Sequence, residues 1–440
     1  MLLSVSPSAA LSSEEASSED ASGAAKIEAP STDGWDDSKK IYAYSWDEDF
    51  SKKMNVVLDK FPEYKDYVEF VTLGVGGTTD EYKTAIDTAL TSGDKYPSLI
   101  PADNDVAKYW SEDDTKTANL TDLGFTDDVM ANSYDFAKQY GTYNGELKAV
   151  TWQATAGSVF YRRDIAKEVL GSDDPETVQA ALADWDKFFE TADKLKDAGY
   201  KIVSGPSDVK YAIWDTQSQP WVTDDGSSEK LTLDGAVTEY LETGKKIYDG
   251  GYSNNTALWD SSWAADMAND SKVFCYFGCP WFIGSMQGNG ATDGNWGAVT
   301  GPTSYHWGGT YVCVGKDTNN PELAAFLLYE LTCDPDVGVE ITNKTGDCVN
   351  NKEANARLIA GELSADNAAA KFLGGQNPIE VWAASAEGIN LSNLTYQDAS
   401  IKAFIDEAST AYNSGTYKSV DEAVKYIQDK CASELGISAE

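Results

Sequence analysis

Apolar and polar positions follow a β-α-β-α-β order along the first folded stretch of the chain. Residues 41–46 form a strand-like run, and apolar side chains then recur at helical spacing as far as Pro62. Residues 67–73 are rich in strand formers, a second helical stripe covers 82–90, and residues 97–101 form a third strand. Strands that alternate with helices in this way predict a doubly wound parallel sheet.

A second α/β pattern follows in the remaining sequence. Strand-like runs lie within 147–161, and Asp184 is placed to cap the N-terminus of an amphipathic helix. Pro321 fits the first position of a later helix, and Ser419 with Glu422 has the spacing of a capping box. A chain of 440 residues with two such patterns is long enough for two lobes, each with its own core.

The strand ends of the first pattern carry the candidate chemistry. Ligands of open α/β sheets bind beyond the carboxyl ends of the strands. Trp46 ends the first strand, and Asp103 and Asp105 follow the third, so we expect an aromatic ring and carboxylates at one sheet edge. The glycine-rich loop 74–77 follows the second strand and lacks the G-x-G-x-x-G spacing, which disfavours a nucleotide site.

The charge balance narrows the possible partners. The chain has 72 Asp and Glu against 34 Lys and Arg, a formal net charge of −38. A field of this sign repels phosphate backbones and anionic lipids, so we expect no nucleic-acid partner. Residues 1–36 are rich in Ser, Ala, Asp and Glu, which predicts a disordered acidic tether ahead of the folded part.

Six short segments of the chain stand out together. They are 143–150 (YNGELKAV), 159–164 (VFYRRD), 183–189 (ADWDKFF), 273–282 (VFCYFGCPWF), 307–310 (WGGT) and 320–324 (NPELA). Together they resemble the extracellular solute-binding proteins of bacterial carbohydrate ABC transporters, family 1, the group related to maltose-binding protein. Each segment is weakly specific alone, but all six occur in the family's order, and the resemblance covers nearly all of residues 40–435.

The resemblance implies an α/β, two-lobed periplasmic-binding-protein-like fold of type II, in which each lobe is a sheet flanked by helices and the ligand cleft lies between the lobes. It places residues 37–147 plus 294–333 in lobe 1 and residues 148–293 plus 334–440 in lobe 2. Interlobe crossings that act as hinges are then expected near 147–151, 283–294 and 333–337. We expect an extracellular monomer, tethered to the cell surface by a lipoprotein anchor that is absent from this sequence.

The implied function is to bind a carbohydrate and deliver it to the ABC transporter permease by cleft closure. Plentiful aromatic residues and high negative charge favour a neutral oligosaccharide, because aromatic rings stack on sugar rings while an acidic field repels uronic acids. Aromatic rings suit the apolar face of a sugar, and Asp, Gln and Arg suit its hydroxyls. The candidate ligand-binding residues are Trp46, Asp103, Asp105, Trp152, Gln153, Arg163, Trp214, Trp281, Trp307 and Trp382.

Two other functions stay open from the residues. A glycoside hydrolase needs two positioned carboxylates, and among 72 acidic residues no pair stands out. A surface protein that binds glycans without transport would need the same aromatic rings. We expect no catalytic residues and no cofactor. We also expect no metal, because a chain with one His and no CxxC pair fits no common metal site. In an oxidising compartment, Cys333 and Cys348 are the favoured disulfide pair.

Overall fold

The structure, a computed structural model, describes residues 25–224 and 226–439. Its two principal sheets form the centres of two lobes. In chain order the strands are β1 (Ile41–Ser45), β2 (Val68–Thr72), β3 (Pro97–Asp103), β4 (Thr142–Tyr143), β5 (Glu146–Leu147), β6 (Val150–Thr151), β7 (Ser158–Arg162), β8 (Val222–Asp224), β9 (Glu229–Leu231), β10 (Cys275–Gly278), β11 (Trp296–Val299), β12 (Thr310–Val314) and β13 (Ser438–Ala439).

The α-helices follow the predicted helical stripes and add several short helices between them. They are α1 (Asp49–Lys60), α2 (Asp80–Ser92), α3 (Ala107–Ser111), α4 (Asp135–Gly141), α5 (Arg163–Val169), α6 (Pro175–Ala181), α7 (Trp185–Asp197), α8 (Lys210–Trp214), α9 (Gly235–Gly250), α10 (Ser261–Ala265), α11 (Phe282–Gly288), α12 (Pro321–Thr332), α13 (Pro335–Thr345), α14 (Lys352–Arg357), α15 (Ala368–Phe372), α16 (Pro378–Glu387), α17 (Asp398–Asn413) and α18 (Val420–Lys430).

The sheet of lobe 1 has the strand order β2-β1-β3-β12-β6. The first three strands are parallel, as the β-α-β-α-β pattern predicts. The sheet is not parallel throughout, however, because β12 enters from the other lobe and pairs antiparallel with both β3 and β6. Helices α1 and α12 cover one face of this sheet, and their apolar side chains form a core with those of β1 and β12.

Lobe 2 is built on a three-stranded antiparallel sheet with the order β10-β7-β11. All residues of these strands are buried. The pairing of β11 with β7 places residues 296–299 in lobe 2, which corrects their predicted assignment to lobe 1. Helix α13 packs on α1 and therefore belongs with lobe 1, which corrects the predicted assignment of residues 335–345 to lobe 2.

The chain crosses between the lobes at 152–157, at 300–309 and after α14. Main-chain hydrogen bonds join the first two segments and fix the first of them to the chain before α14: the Trp307 amide donates to the Thr155 carbonyl (3.1 Å) and the Ala154 amide to the Cys348 carbonyl (2.9 Å). The predicted crossings at 283–294 and 333–337 are wrong. The first lies in α11 and the loop before β11, and the second joins two helices that both pack on α1.

The helix caps agree with the sequence in part. The Asp184 carboxylate accepts from the Lys187 amide (2.7 Å), and the Ser419 hydroxyl accepts from the Glu422 amide (3.2 Å). The Glu422 carboxylate accepts from the Lys418 amide instead of that of Ser419, so the capping box is only half formed. A carboxylate within the first turn still faces the partial positive charge of the α18 N-terminus.

The prediction of a disordered tether is wrong for residues 25–36. Residues 1–24 lie outside the described residues. Residues 25–36 run along lobe 1, where the Tyr64 hydroxyl donates to the Pro30 carbonyl (2.7 Å). The ring of Trp35 packs edge-on against that of Tyr67 at 5.1 Å, and Ile27 packs on the lobe 1 core. These apolar side chains within an otherwise polar stretch give the segment enough buried area to dock.

The cysteines are unpaired in the structure. All six are buried, and the expected Cys333–Cys348 bridge is not formed. The Cys333 sulfur lies 3.6 Å from that of Met130, whereas the Cys348 sulfur faces Asn355. Burial raises the pKa of the Cys333 thiol to about 12, so it is a poor nucleophile at neutral pH. Across the described residues, no helix is both long and apolar enough to cross a membrane.

Candidate functional site

A cleft of about 480 Å³ lies where the two lobes meet. Its lobe 1 side is formed by the loop after β1, the start of α1 and the end of β3, and its lobe 2 side by the start of α11. A smaller chamber of about 180 Å³ shares Asp103, Trp281 and Gly308 with the cleft, so the two spaces adjoin. The volume of the cleft is within the range of small-molecule sites.

Trp46 is the aromatic side chain of the lobe 1 wall. It is half-buried at the end of β1, and its ring packs edge-on against Tyr82 at 5.7 Å. A Cβ atom placed on Gly77 would lie 2.8 Å from the indole of Trp46, so any other residue there would displace the ring or the loop. The glycine-rich loop after β2 therefore supports an indole ring, which gives that loop a role unrelated to nucleotides.

Asp103 and Asp105 lie at the end of β3, as predicted from the strand pattern. The Asp103 carboxylate accepts from the Asp105 amide (2.9 Å), which fixes the loop. Burial raises the pKa of Asp103 to about 7, and the nearby Asp105 carboxylate adds to the effect. Asp103 lines both the cleft and the chamber, whereas Asp105 is exposed and lines only the chamber.

A buried charged network forms the base of the cleft. Lys53 Nζ lies 2.7 Å from an Asp49 oxygen and 3.6 Å from an Asp347 oxygen. The side-chain nitrogen of Gln153 donates to an Asp347 carboxylate oxygen (3.1 Å), and the side-chain oxygen of Gln153 accepts from the Thr310 backbone amide (2.9 Å). Gln153 was predicted as a site residue, and it lines the cleft as part of this network.

Sequence reasoning missed Lys53 and Asp347. Lys53 was detectable, because it interrupts the apolar face of α1 three residues after Phe50 and one before Met54. A lysine at such a position needs a buried acidic partner. That partner, Asp347, lies after α13 and is brought close only by the tertiary fold, so no local pattern could identify it.

The lobe 2 wall is a cluster of tryptophans. The ring centroids of Trp281 and Trp307 lie 5.0 Å apart, and the Trp281 indole N–H donates to the Trp307 carbonyl (3.1 Å). Trp307 also stacks on Tyr211 at 4.8 Å. The ring of Trp259 lies nearly parallel to that of Trp281, 6.3 Å away, and is 55% exposed. Trp259 lines the chamber as well.

His306 also lines the chamber, in the crossing segment beside Trp307. It is 3% exposed, and its Nδ1 lies 2.6 Å from an Asp215 carboxylate oxygen that also accepts from the His306 amide. The carboxylate fixes the ring in one orientation and favours a proton on Nδ1. Among the described residues, Nε2 has no hydrogen-bond partner, so this nitrogen is available to a ligand.

Three predicted tryptophans lie in the protein core and line neither the cleft nor the chamber. Trp152 packs against Phe50 at 5.7 Å in the lobe 1 core. Trp214 is buried against Tyr240 in lobe 2, and the Trp382 indole N–H donates to the Ser158 hydroxyl (3.2 Å). Their assignment to the site is corrected, because burial of the whole ring leaves no face for a ligand.

Arg163 is likewise structural. Its guanidinium donates to the carbonyls of Trp296 (2.8 Å), Asp173 (3.0 Å) and Leu373 (2.9 Å). These bonds join α5 to β11 and to the end of α15, away from the residues that line the cleft. The predicted residues that the structure does bring to the cleft and chamber are Trp46, Asp103, Asp105, Gln153, Trp281 and Trp307.

No group of three His, Cys, Asp or Glu side chains in the described residues is arranged to hold a metal ion. The arrangement instead offers aromatic rings on one wall and fixed hydrogen-bonding groups on the other. Such a site holds a ligand that has both an apolar face and several hydroxyl or amide groups.

Solved structures with the same fold include several solute-binding proteins. An extracellular solute-binding protein of family 1 is 18% identical, with a TM-score of 0.72 over 88% of this chain and 97% of that chain. The galacto-N-biose/lacto-N-biose I-binding protein of Bifidobacterium longum is 15% identical, with a TM-score of 0.69 over 91% and 98%. A binding protein of Bifidobacterium animalis subsp. lactis with β-1,6-galactobiose is 20% identical, with a TM-score of 0.63 over 91% and 99%.

Because the three solved structures are no more than 20% identical to this chain, their similarity shows the fold alone. It confirms the two-lobed α/β architecture. No curated protein matches the chain. A family model for bacterial extracellular solute-binding proteins matches residues 57–371, which is most of the sequence and includes both lobes. The chain therefore belongs to the bacterial extracellular solute-binding proteins.

Proposed function

We propose that the protein binds a neutral oligosaccharide in its interlobe cleft and delivers it to the permease of an ABC transporter, without chemical change to the sugar. The observation that carries the proposal is the pairing of two unlike walls. Trp46 and the Trp259–Trp281–Trp307 cluster offer rings for the apolar faces of sugars. Asp103 and the free nitrogen of His306 offer acceptors for hydroxyls.

The ligands of two structural relatives support this ligand class. One binds lacto-N-biose and another was solved with β-1,6-galactobiose. The net charge of −38 favours neutral sugars over uronic acids. We further propose that the protein acts as a monomer outside the cell, tethered to its surface by a lipid anchor.

Closure would follow from the division of the site between the lobes. A sugar that contacts both walls binds the closed state more tightly than the open one, and so shifts the population towards closure. The hinges would be the crossing segments 152–157 and 300–309, because their main chains connect the two sheets. The permease would then recognise the closed form.

Calorimetry against neutral and acidic oligosaccharides, combined with small-angle scattering, tests the proposal. We expect saturable binding of a neutral oligosaccharide, a smaller radius of gyration in its presence and no new products by chromatography. Released shorter sugars would indicate a glycoside hydrolase, and binding without compaction would indicate a rigid glycan-binding surface protein. Binding of amino acids or peptides alone would contradict the proposal.

A further inference from the structure

A second cavity, of about 410 Å³, lies in lobe 2 next to the cleft. We call it the α17 pocket, and it is defined by Lys210, Tyr240, Trp259, Asp406, Ser409 and Asn413. Trp259 lines both this pocket and the chamber of the cleft, so the two spaces adjoin at its indole. A cavity of this size has room for at least one sugar ring.

Helix α17 connects the two spaces along one face. Lys402 lines the chamber, and Asp406, Ser409 and Asn413 line the α17 pocket. Positions four, seven and eleven residues apart lie on one side of a helix. At 1.5 Å per residue the stretch from Lys402 to Asn413 is about 16 Å long. A ligand in the chamber therefore has a continuous helix face to follow past Trp259.

The pocket is lined by a side chain with an unsatisfied hydrogen-bond acceptor. Asn413 is 8% exposed, and its side-chain oxygen, which is itself buried, has no hydrogen-bond donor among the described residues. A buried acceptor without a donor is unfavourable, so rotation of the amide towards a ligand hydroxyl in the pocket would be favoured. Beside it, the Asp406 carboxylate is held by the Lys210 ammonium (2.9 Å) and the Tyr240 hydroxyl (2.9 Å), so these polar groups are fixed in place.

Trp259 has an unusual backbone at the junction. Its φ angle is +71°, in the left-handed region that bulky residues rarely adopt. Such a conformation persists only where the surrounding structure imposes it, and it is often found at binding sites. Here the packing of its ring against Trp263 at 5.2 Å holds the exposed indole between the chamber and the α17 pocket.

We propose that the binding cleft continues past Trp259 into the α17 pocket, so that the ligand is an oligosaccharide long enough to occupy both. A ring of the sugar stacks on Trp259, and a hydroxyl of a more distant ring donates to Asn413. The mixture of an exposed indole, an amide acceptor and a fixed ion pair suits a neutral polyhydroxylated chain. This proposal rests on the proposed function of the cleft.

The test is calorimetry with malto-, cello-, xylo-, manno- and β-galacto-oligosaccharides of two to six units, against the wild type and Thr410→Phe. Thr410 is exposed and lines the α17 pocket, so phenylalanine fills the pocket without burying a new polar group. We expect the wild type to bind longer members of one series more tightly than the disaccharide. Thr410→Phe should weaken the longer members at least tenfold and leave the disaccharide unchanged.

Ser400→Phe is the matched control, because Ser400 is exposed on α17 but lines neither space. If Thr410→Phe lowers the melting temperature, Thr410→Gln replaces it as a smaller filler. Equal loss for all lengths, no loss for any length, tightest binding of a disaccharide, or two sugars bound per protein would each overturn the continuous cleft. If no oligosaccharide of any series binds the wild type, the proposed function itself fails, and this inference with it.

Discussion

The two walls of the cleft are built from different chemistry. The lobe 1 wall is polar: apart from Trp46 it presents Asp103 and the network of Lys53, Asp347 and Gln153. The lobe 2 wall is aromatic and is formed mainly by three tryptophans that pack on one another. The polar wall is fixed by hydrogen bonds and ion pairs, whereas the aromatic wall is fixed by ring packing.

This difference assigns separate tasks to the lobes. Ring stacking is tolerant of sugar identity, because every pyranose has an apolar face, whereas hydrogen bonds to hydroxyls depend on their positions. We therefore expect changes in lobe 2 to alter affinity for all ligands, and changes in lobe 1 to alter selectivity and stability. Four substitutions test this division, from the largest expected effect to the smallest.

The largest effect is expected from Lys53→Met at the base of the polar wall. The substitution removes the only cation within 4 Å of Asp347 in the described residues and leaves that carboxylate buried without a charge partner. Loss of one partner of a buried pair typically lowers the free energy of unfolding by about 3–5 kcal/mol. Urea unfolding would measure this change.

The double variant Lys53→Met/Asp347→Asn is the control for that experiment. Burial already raises the pKa of Asp347, so a neutral amide fits its surroundings once the lysine is gone. We expect the double variant to regain much of the lost stability. If Lys53→Met alone unfolds at the same urea concentration as the wild type, the network does not stabilise the lobe 1 wall.

The next effect concerns the aromatic wall. Trp281→Ala removes the ring that lines both the cleft and the chamber, and we expect affinity for every bound sugar to fall by about 1–3 kcal/mol. Calorimetry would measure the change. Trp185→Ala is the matched control, since its ring stacks on Phe277 and lies outside the cleft. Loss for one sugar only would contradict the assignment of general affinity to lobe 2.

The first lobe shows which features could be predicted from sequence. The order β1-α1-β2-α2-β3 and the position of Trp46 and Asp103 at strand ends follow from hydrophobic periodicity and a general rule for α/β sheets. The antiparallel entry of β12 could not be predicted, because it depends on pairing between strands more than 200 residues apart. The same limit applies to Asp347, the partner of Lys53.

The tryptophans show why the site itself was only partly predictable. Trp152 and Trp281 both follow strand-like runs, yet the first fills the lobe 1 core and the second lines the cleft. Local sequence gives an indole the same hydrophobicity in either place, and only the tertiary fold decides which face remains open. Trp259 lies in an irregular segment with a left-handed backbone, for which periodicity has no signal.

Asp103→Asn tests the polar wall through pH. Burial raises the pKa of Asp103 to about 7 in the folded protein, above its ordinary value near 4. The folded state therefore binds more protons between these values, and the contribution of this carboxyl to stability falls as pH rises from about 4 to about 7. We expect Asp103→Asn to gain about 1–2 kcal/mol over the wild type at pH 8 and to show little difference at pH 4.5.

Denaturant unfolding at both pH values would measure that gain. Asp127→Asn is a suitable control, because this carboxylate is exposed on the same lobe. A gain of equal size at both pH values would mean that burial of the Asp103 charge is not its cause. A parallel measurement of sugar selectivity would show whether the amide still distinguishes hydroxyl positions.

The smallest effect is expected where the polar wall contains its one aromatic ring. Gly77→Ala adds a methyl group whose carbon would lie 2.8 Å from the Trp46 indole, so the ring or the loop must shift. Trp46 is only half-buried, so its ring can move towards the cleft, and we expect affinity to fall about fivefold, or about 1 kcal/mol. Gly288→Ala is the matched control, because it adds the same methyl group at the end of α11 with no atom within 4 Å.

The comparison of Gly77→Ala with Trp281→Ala then separates the roles of the two walls. If Trp46 stacks on one sugar ring while hydrogen bonds of lobe 1 select its hydroxyls, a displaced Trp46 should weaken some sugars more than others. The Trp281 variant should weaken all of them alike, because its ring meets only apolar faces. Uniform loss in both variants would mean that both rings act by stacking alone, and that selectivity comes from the polar groups independently of ring position.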